Sequence, residues 1–317
     1  MTRPRAFVAP QRISVSGRCR LDKELCRLLG ISREICKRLI LSGRIKISGE
    51  TRHHPAKRLG EKMEIEILPE PEKEKAARAN FSGYDIKIIY EDGEIVAVDK
   101  PVGLAVHPGA GHENDTLVDW LRSRKIKLAR TSDPSRAGLV HRLDKDTSGI
   151  ILIAKESAAA EHLMSQFAER KVEKEYRAVV QGRLPAKPLR IVGAIGRSPD
   201  DRKKFSIQSG GRDAVTVVES IAESSTTNAC LIRAIPKTGR THQIRVHLKH
   251  AGFPIIGDPV YGRKNLHGVG RMLLHAYLLS FTHPGNNRPV KLVAPLPADF
   301  VEPMNALGIM LNMTAAS

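Results

Sequence analysis

Ala137-Gly138-Leu139-Val140-His141-Arg142-Leu143-Asp144-Lys145-Asp146-Thr147-Ser148-Gly149-Ile150 is the densest polar cluster in the chain, and it stands immediately before the apolar run Ile150 to Ala154. The pattern predicts a sharp loop bearing Asp144, followed by a buried strand over 149–154. Two unrelated chemistries use similar residues. His141-Arg142 followed by Asp144 has the order of a kinase catalytic loop, but the expected glycine-rich loop, strand lysine with helix glutamate, and Asp-Phe-Gly do not accompany it. Asp144-Lys145-Asp146 has the spacing of the acid pair of aspartyl-phosphate phosphatases. Those acids follow a hydrophobic strand, whereas here the strongest apolar run comes afterwards.

Outward from this loop, alternating apolar patterns predict strands at 86–90, 95–99, 175–181, 213–222 and 229–235. Leu163 with Phe167, and Met164 with Ala168, are paired at i, i+4 and predict a helix beginning at Ser157. Thr241 is placed to cap a second helix running through Ile244, Leu248 and Ala251. Strands interleaved with fewer helices imply an α+β domain over residues 84–305, built on a mixed, mainly antiparallel sheet.

Residues 12–69 read as a separate, small α+β domain. Leu21, Leu25, Leu28 and Leu29 recur at helical spacing, Gly30 stops that helix, and Ser32 can cap a second one carrying Ile35, Leu39 and Ile40. Arg44-Ile45-Lys46-Ile47 then alternates as a strand does, and Ser48-Gly49 supplies a turn. Residues 70–83, EPEKEKAARANFSG, have the composition of a linker.

Charge narrows the class of partner. The 317 residues include 52 Lys plus Arg against 34 Asp plus Glu, a net +18, which calls for an anionic partner. Residues 1–69 hold 16 Lys or Arg against 7 acids, so half of that excess sits in the first fifth of the chain. No apolar run approaches the ~20 residues of a membrane-spanning helix, so the anion is nucleic acid and the protein is expected in the cytoplasm. The early arginines Arg3, Arg5, Arg12, Arg18 and Arg20 read as a basic arm. Cys19, Cys26, Cys36 and Cys230 show no CxxC spacing and are expected as free thiols. No ligand spacing joins His141, His242, His247 or His275 to carboxylates or cysteines, so no metal is implied.

The run from His141 to Ile150 resembles the signature of the RluA family of pseudouridine synthases. Asp99-Lys100-Pro101-Val102-Gly103-Leu104-Ala105-Val106-His107-Pro108 is similar to that family's first motif, Lys174-Glu175-Tyr176-Arg177-Ala178 to its tyrosine motif, and Gly239-Arg240-Thr241-His242-Gln243-Ile244-Arg245 to its third. Arg33 to Ile40, leading into Gly43 to Gly49, resembles the S-four-type RNA-binding domain. With the stretch His107 to Gly111, the whole looks most like the RluD branch. The resemblance implies isomerisation of uridines in structured RNA, most closely large-subunit ribosomal RNA or its assembly particle, by a monomer without a cofactor.

It also assigns roles that chemistry makes reasonable. Moving a base from nitrogen to carbon attachment requires one ionised carboxylate near the ribose, as nucleophile or as base, and the resemblance makes this Asp144. A buried carboxylate stays charged beside a cation, which the resemblance makes Arg245. Tyr176 offers a face for the base and a phenol for proton movement. Arg142 is associated with flipping the target nucleotide out of its helix, Leu274 with packing around the tyrosine and base, and His141 with substrate contact. Arg33, Lys37, Arg38, Arg44 and Lys46 are placed to meet phosphates. Two alternatives stay open: a non-catalytic RNA-binding or ribosome-assembly factor on the same fold, and a synthase acting on transfer RNA.

Overall fold

The computed structural model describes residues 11–15, 19–31, 33–51, 54–60, 63–68, 83–109, 115–131, 133–201, 204–262 and 266–311. The Ser32 cap, all of the expected linker but Gly83, and Arg3, Arg5 and Arg18 of the basic arm lie outside them. The chain divides into two compact units, one of residues 1–81 with 130–137, the other of 82–129 with 138–317.

In the first unit, α1 (Leu21–Leu29) ends at Gly30, whose φ of 63° lets its N–H reach back to the Cys26 carbonyl. Helix α2 (Arg33–Leu41) packs on it. Strands β1 (Gln11–Ser14), β2 (Ile45–Ile47), β3 (Glu50–Thr51) and β4 (Glu64–Ile67) form an antiparallel sheet in the order β1-β4-β2-β3. Leu21, Leu25, Cys36, Ile40, Ile45, Ile47, Ile65 and Ile67 close its core. The predicted helix–helix–strand order is therefore present.

The second unit is organised around nine strands in one sheet. These are β5 (Lys87–Glu91), β6 (Ile95–Lys100), β7 (Ser148–Ala154), β8 (Glu173–Gln181), β9 (Leu189–Val192), β12 (Val215–Glu223), β13 (Ala229–Pro236), β14 (Leu274–Thr282) and β15 (Pro289–Val293). Strands β10 (Ile195–Arg197) and β11 (Phe205–Ile207) make a separate hairpin. The main order is β5-β6-β7-β14-β8-β13-β12-β9, with β15 pairing β14. Every pairing is antiparallel except β7 with β14. The mixed, mainly antiparallel sheet is thus observed, and each predicted strand lies within about two residues of its place.

Helices α3 (Leu117–Ser123), α4 (Ser157–Ala168), α5 (Gln243–His250) and α6 (Ala298–Ala306) accompany the sheet. One core cluster gathers Ala178, Val180, Ile232, Ala234, Leu248, Met272 and Leu274, with Tyr176 packed against it. Another holds Val179, Leu231, Phe300 and Met304. Alternation along β8 explains the division, since 176, 178 and 180 face one side and 179 the other.

The start of α5 differs from expectation. His242, at φ 56° and ψ 19°, occupies the cap position with no side-chain cap, and Thr241 is exposed. Gln243 orders this turn instead. Its carbonyl oxygen accepts from the Arg240 N–H (3.0 Å) and the Thr238 hydroxyl (2.7 Å), while its amide donates to the Val215 carbonyl (3.0 Å) and the Thr216 hydroxyl (3.1 Å).

Candidate active site

Asp144 sits in the turn feeding β7, where its carbonyl accepts the Thr147 N–H at 3.1 Å. The turn is held from beneath by Lys100 at the end of β6. That side chain is fully buried, and its three N–H groups go to the carbonyls of Pro101 (2.8 Å), Leu104 (3.0 Å) and Lys145 (3.0 Å). Burial draws the ammonium's proton affinity down to about 7, with Asp146 and Asp144 pulling it back up. The Lys145 carbonyl also receives the Gly103 N–H at 3.0 Å, so the first motif braces the loop of the second.

On the other flank, Ser148 ties the loop to β14. Its hydroxyl meets His275 Nδ1 at 2.9 Å and accepts from Arg271 at 2.6 Å, and His275 Nε2 faces the Ala294 carbonyl at 3.1 Å. Gly149 permits the approach. At φ +110°, a Cβ there would collide with the Ala276 carbonyl oxygen and stand 2.6 Å from the Ala276 nitrogen.

The predicted cation is in place, with a partner that sequence reasoning missed. Arg245 on α5 has a side chain only 3% exposed and donates through Nη1 to Asp144 Oδ2 at 3.2 Å. Its remaining edge forms a two-point pair with Asp258, Nε to Oδ2 at 2.8 Å and Nη2 to Oδ1 at 2.9 Å. Burial by itself pushes the Asp258 carboxyl up. The bond and charge of Arg245, with the N–H groups of Tyr261 and Val260, outweigh burial and hold the carboxyl below its ordinary value. The guanidinium also lies 5.0 Å from the centre of the Tyr261 ring. Asp258 follows Gly257, at φ 76°, and opens a tight turn. Gly257-Asp258-Pro259 was the available clue, since an acid after a glycine often caps such a turn.

His242 also belongs here. Its Nε2 is 3.7 Å from Asp144 Oδ2, and its Nδ1 meets the Tyr261 hydroxyl at 2.8 Å. The Tyr261 oxygen accepts the Phe205 N–H at 2.9 Å. This pattern assigns the Tyr261 proton to Nδ1 and leaves an N–H on Nε2 facing the carboxylate. Burial lowers the proton affinity of the ring, so it is neutral near pH 7.

Tyr176 lies half-buried on β8. Burial first, and then the charge of Asp144, push its phenol above the ordinary range. It is therefore a neutral O–H donor within the field of the carboxylate. Leu274 is buried in the cluster against which Tyr176 packs. Arg142, two residues before Asp144, is exposed and, among the described residues, has no hydrogen bond or ion pair; its charge is felt at His242.

His141 helps to hold the loop in place. Its Nε2 accepts the Leu152 N–H at 2.8 Å, its ring stacks on Phe167 at 4.8 Å, and burial lowers its proton affinity to about 3. These contacts fasten the loop to β7 and α4. Among the described residues, no group of three or more His, Cys, Asp or Glu side chains is arranged to hold a metal ion.

In the first unit, Arg33 and Lys37 stand one turn apart on α2, with Arg44 and Lys46 on the following strand segment. The Arg38 side chain lies outside the described residues. Arg33 is exposed yet tethered, donating to buried Asp22 at 2.9 Å while Arg20 donates to the same carboxylate at 3.0 Å. The Arg20 bond leads the effects that hold Asp22 at about 2. The Arg44 guanidinium donates to the Leu68 carbonyl at 3.0 Å.

Known proteins match this chain in both units. Residues 94–250 match the RNA pseudouridylate synthase family, and residues 19–65 match the S4 domain. A protein of Xanthomonas campestris named ribosomal large subunit pseudouridine synthase D is 38% identical over 309 residues, covering 93% of this chain and 90% of its own. A protein of the same name from Neisseria meningitidis serogroup A is 37% identical, over 94% of this chain and 81% of its own. The solved structure of human RNA pseudouridylate synthase domain containing 1 superposes with a TM-score of 0.59 at 26% identity, covering 73% of this chain and 94% of that one. Among the described residues, no helix is long and apolar enough to cross a membrane. The likeness runs through both units and includes the stretch that carries Asp144, Tyr176 and Arg245, and the chain accordingly belongs to the RNA pseudouridine synthases, as a member with an N-terminal S4 domain.

Proposed function

We propose that this enzyme converts specific uridines of large-subunit ribosomal RNA to pseudouridine, with Asp144 as the essential carboxylate and without a metal or organic cofactor. The substrate class is taken from the names of the Xanthomonas and Neisseria relatives. The observation that carries the catalytic reading is the chain Asp258–Arg245–Asp144, in which one guanidinium serves two carboxylates. It aims Asp144, with 19% of its side chain still open.

The reaction is an isomerisation. The bond from N1 to the ribose breaks, the base turns, and C5 bonds to the same anomeric carbon. The proton on C5 leaves and N1 gains one, so no oxidant, reductant or co-reactant is consumed. Asp144 acts on the ribose as nucleophile or base, Arg245 neutralises it, and Tyr176 supports the base through its ring and moves a proton through its phenol. Arg142 occupies the space left by the flipped nucleotide, and the basic face of the S4 domain holds the surrounding RNA.

The test maps pseudouridine at nucleotide resolution in cells lacking the gene and in cells carrying only Asp144→Asn. Both should lose the same sites in large-subunit ribosomal RNA. Full modification in the Asp144→Asn cells would refute the assignment of the carboxylate, and loss confined to transfer RNA would refute the substrate class.

A further inference from the structure

Beyond the aspartate and its arginine, several cations gather around Lys174, and among the described residues Lys174 itself has no acidic partner. Lys174 lies on β8 two residues before Tyr176, so both side chains leave the same face, about 6.6 Å apart along the strand. It is half-buried and, among the described residues, donates to no acceptor. Arg170 stands in the turn between α4 and β8, at φ 62°. Lys237 follows the end of β13, with its N–H on the Val215 carbonyl at 2.9 Å. The pairing of Ala234 with Tyr176, continued along the antiparallel ladder, carries Lys237 toward Lys174.

The electrostatics agree with this placement. Lys174's proton affinity is lowered by burial, then by Arg170 and by Lys237. Arg240 is lowered by burial, then by Arg212 and Arg170, with Asp213 in opposition. Arg240 donates to the Asp213 carbonyl at 3.1 Å, in the loop that leads into α5 and Arg245. A half-buried ammonium beside two like charges is a costly arrangement that an anion relieves.

We infer that Lys174, flanked by Arg170 and Lys237, is a seat for the RNA phosphodiester next to the flipped nucleotide, with Arg240 and Arg212 extending it along the strand. A base held at Tyr176 puts its own backbone within one nucleotide's reach of Lys174. The seat rests on the reading of the enzyme as acting on RNA, and it adds the residues that fix the register of the substrate strand. These are positioning residues, whose contribution is to binding.

The experiment compares the full-length enzyme with Lys174→Gln/Lys237→Gln, using unmodified large-subunit ribosomal RNA transcript as probe. Binding is measured from 50 to 200 mM salt, together with KM and kcat for pseudouridine formation. Loss of two phosphate contacts should shrink the salt-induced fall in affinity by about tenfold over that range. KM should rise by about as much, with kcat changing less. Lys174→Arg should restore most of the binding, and Lys187→Gln/Lys291→Gln, two exposed cations elsewhere in the same unit, should keep the wild-type slope. An unchanged slope in Lys174→Gln/Lys237→Gln, or a fall in kcat alone, would overturn the seat. If the wild-type enzyme made no pseudouridine in this transcript while the slope still dropped, the seat would stand and the proposed substrate would fail.

Discussion

Replacing Asp258 with Asn tests the geometry most directly, because Asp258 is the residue through which Arg245 is held. The substitution keeps an oxygen for the Val260 and Tyr261 N–H groups, at 2.8 and 3.0 Å, but removes the charge from a two-point pair with a guanidinium only 3% exposed. Breaking a buried pair from one side costs about 3–5 kcal/mol. The retained acceptor puts Asp258→Asn near the lower figure, about 3 kcal/mol, read as a fall in the urea midpoint at unchanged slope. Arg245 then has Asp144 as its remaining carboxylate and shifts toward it. A displacement of this kind lowers kcat by roughly a hundredfold.

The pH dependence has a definite sign. The folded Asp258 carboxyl lies below its ordinary value, so its stabilisation is fully present above the unfolded value of roughly 3.9 and fades as pH falls through the lower folded value. The gap in stability between wild type and Asp258→Asn should be constant near neutrality and close in strong acid. In a double-mutant cycle, Arg245→Met and Asp258→Asn should couple by about 2 kcal/mol or more. Wild-type stability and turnover in Asp258→Asn, or additivity in the cycle, would refute the reasoning.

Other outcomes follow from the same contacts. Tyr176→Phe keeps the ring and loses the phenol, so kcat should fall by about 10²-fold or more with RNA affinity nearly unchanged; an equal loss of affinity would make Tyr176 a binding residue alone. Gly149→Ala drives a methyl into Ala276 and should cost more than about 3 kcal/mol, together with the β7–β14 pairing; thermal unfolding at the wild-type midpoint would contradict that geometry. Lys100, drawn down to about 7 in the fold, binds fewer protons than in the unfolded chain between there and roughly 10.4, so its contribution makes stability rise with pH across that window. Lys100→Met should remove this rise, and parallel curves for the two proteins in pH-dependent unfolding would show that the ammonium is not responsible.

Much of this molecule is legible in its sequence where local chemistry decides. Strand alternation located β5, β6, β7, β8, β12 and β13, Gly30 ended α1, and the run from His141 to Ile150 pointed to Asp144. What escaped depends on contacts between distant segments. Asp258 sits in a plain-looking turn, and its importance arises only because α5 brings Arg245 against it. The anchoring of His141 likewise depends on partners outside its own motif, since its ring meets Leu152 and Phe167. The Thr241 cap failed because Gln243 satisfies the turn from inside, leaving Thr241 exposed. The S4 unit was legible through the resemblance carried by Arg33 to Ile40 and Gly43 to Gly49, but the anchoring of Arg33 to a buried acid shared with Arg20 has no local signature.

The insertion of β14 between β7 and β8 has a consequence for biosynthesis. Ser148 and Tyr176 are 28 positions apart, yet the strand that joins their neighbourhoods arrives about a hundred residues later, and the Ser148–His275 contact spans 127 positions. A nascent chain that has exposed everything up to α5 still has a gap in the centre of its sheet, with two apolar edges open to mispairing. Asp144 and Tyr176 acquire their mutual alignment when β14 slots home. Closing so long a loop is slow, and activity therefore emerges late in maturation, as a single step.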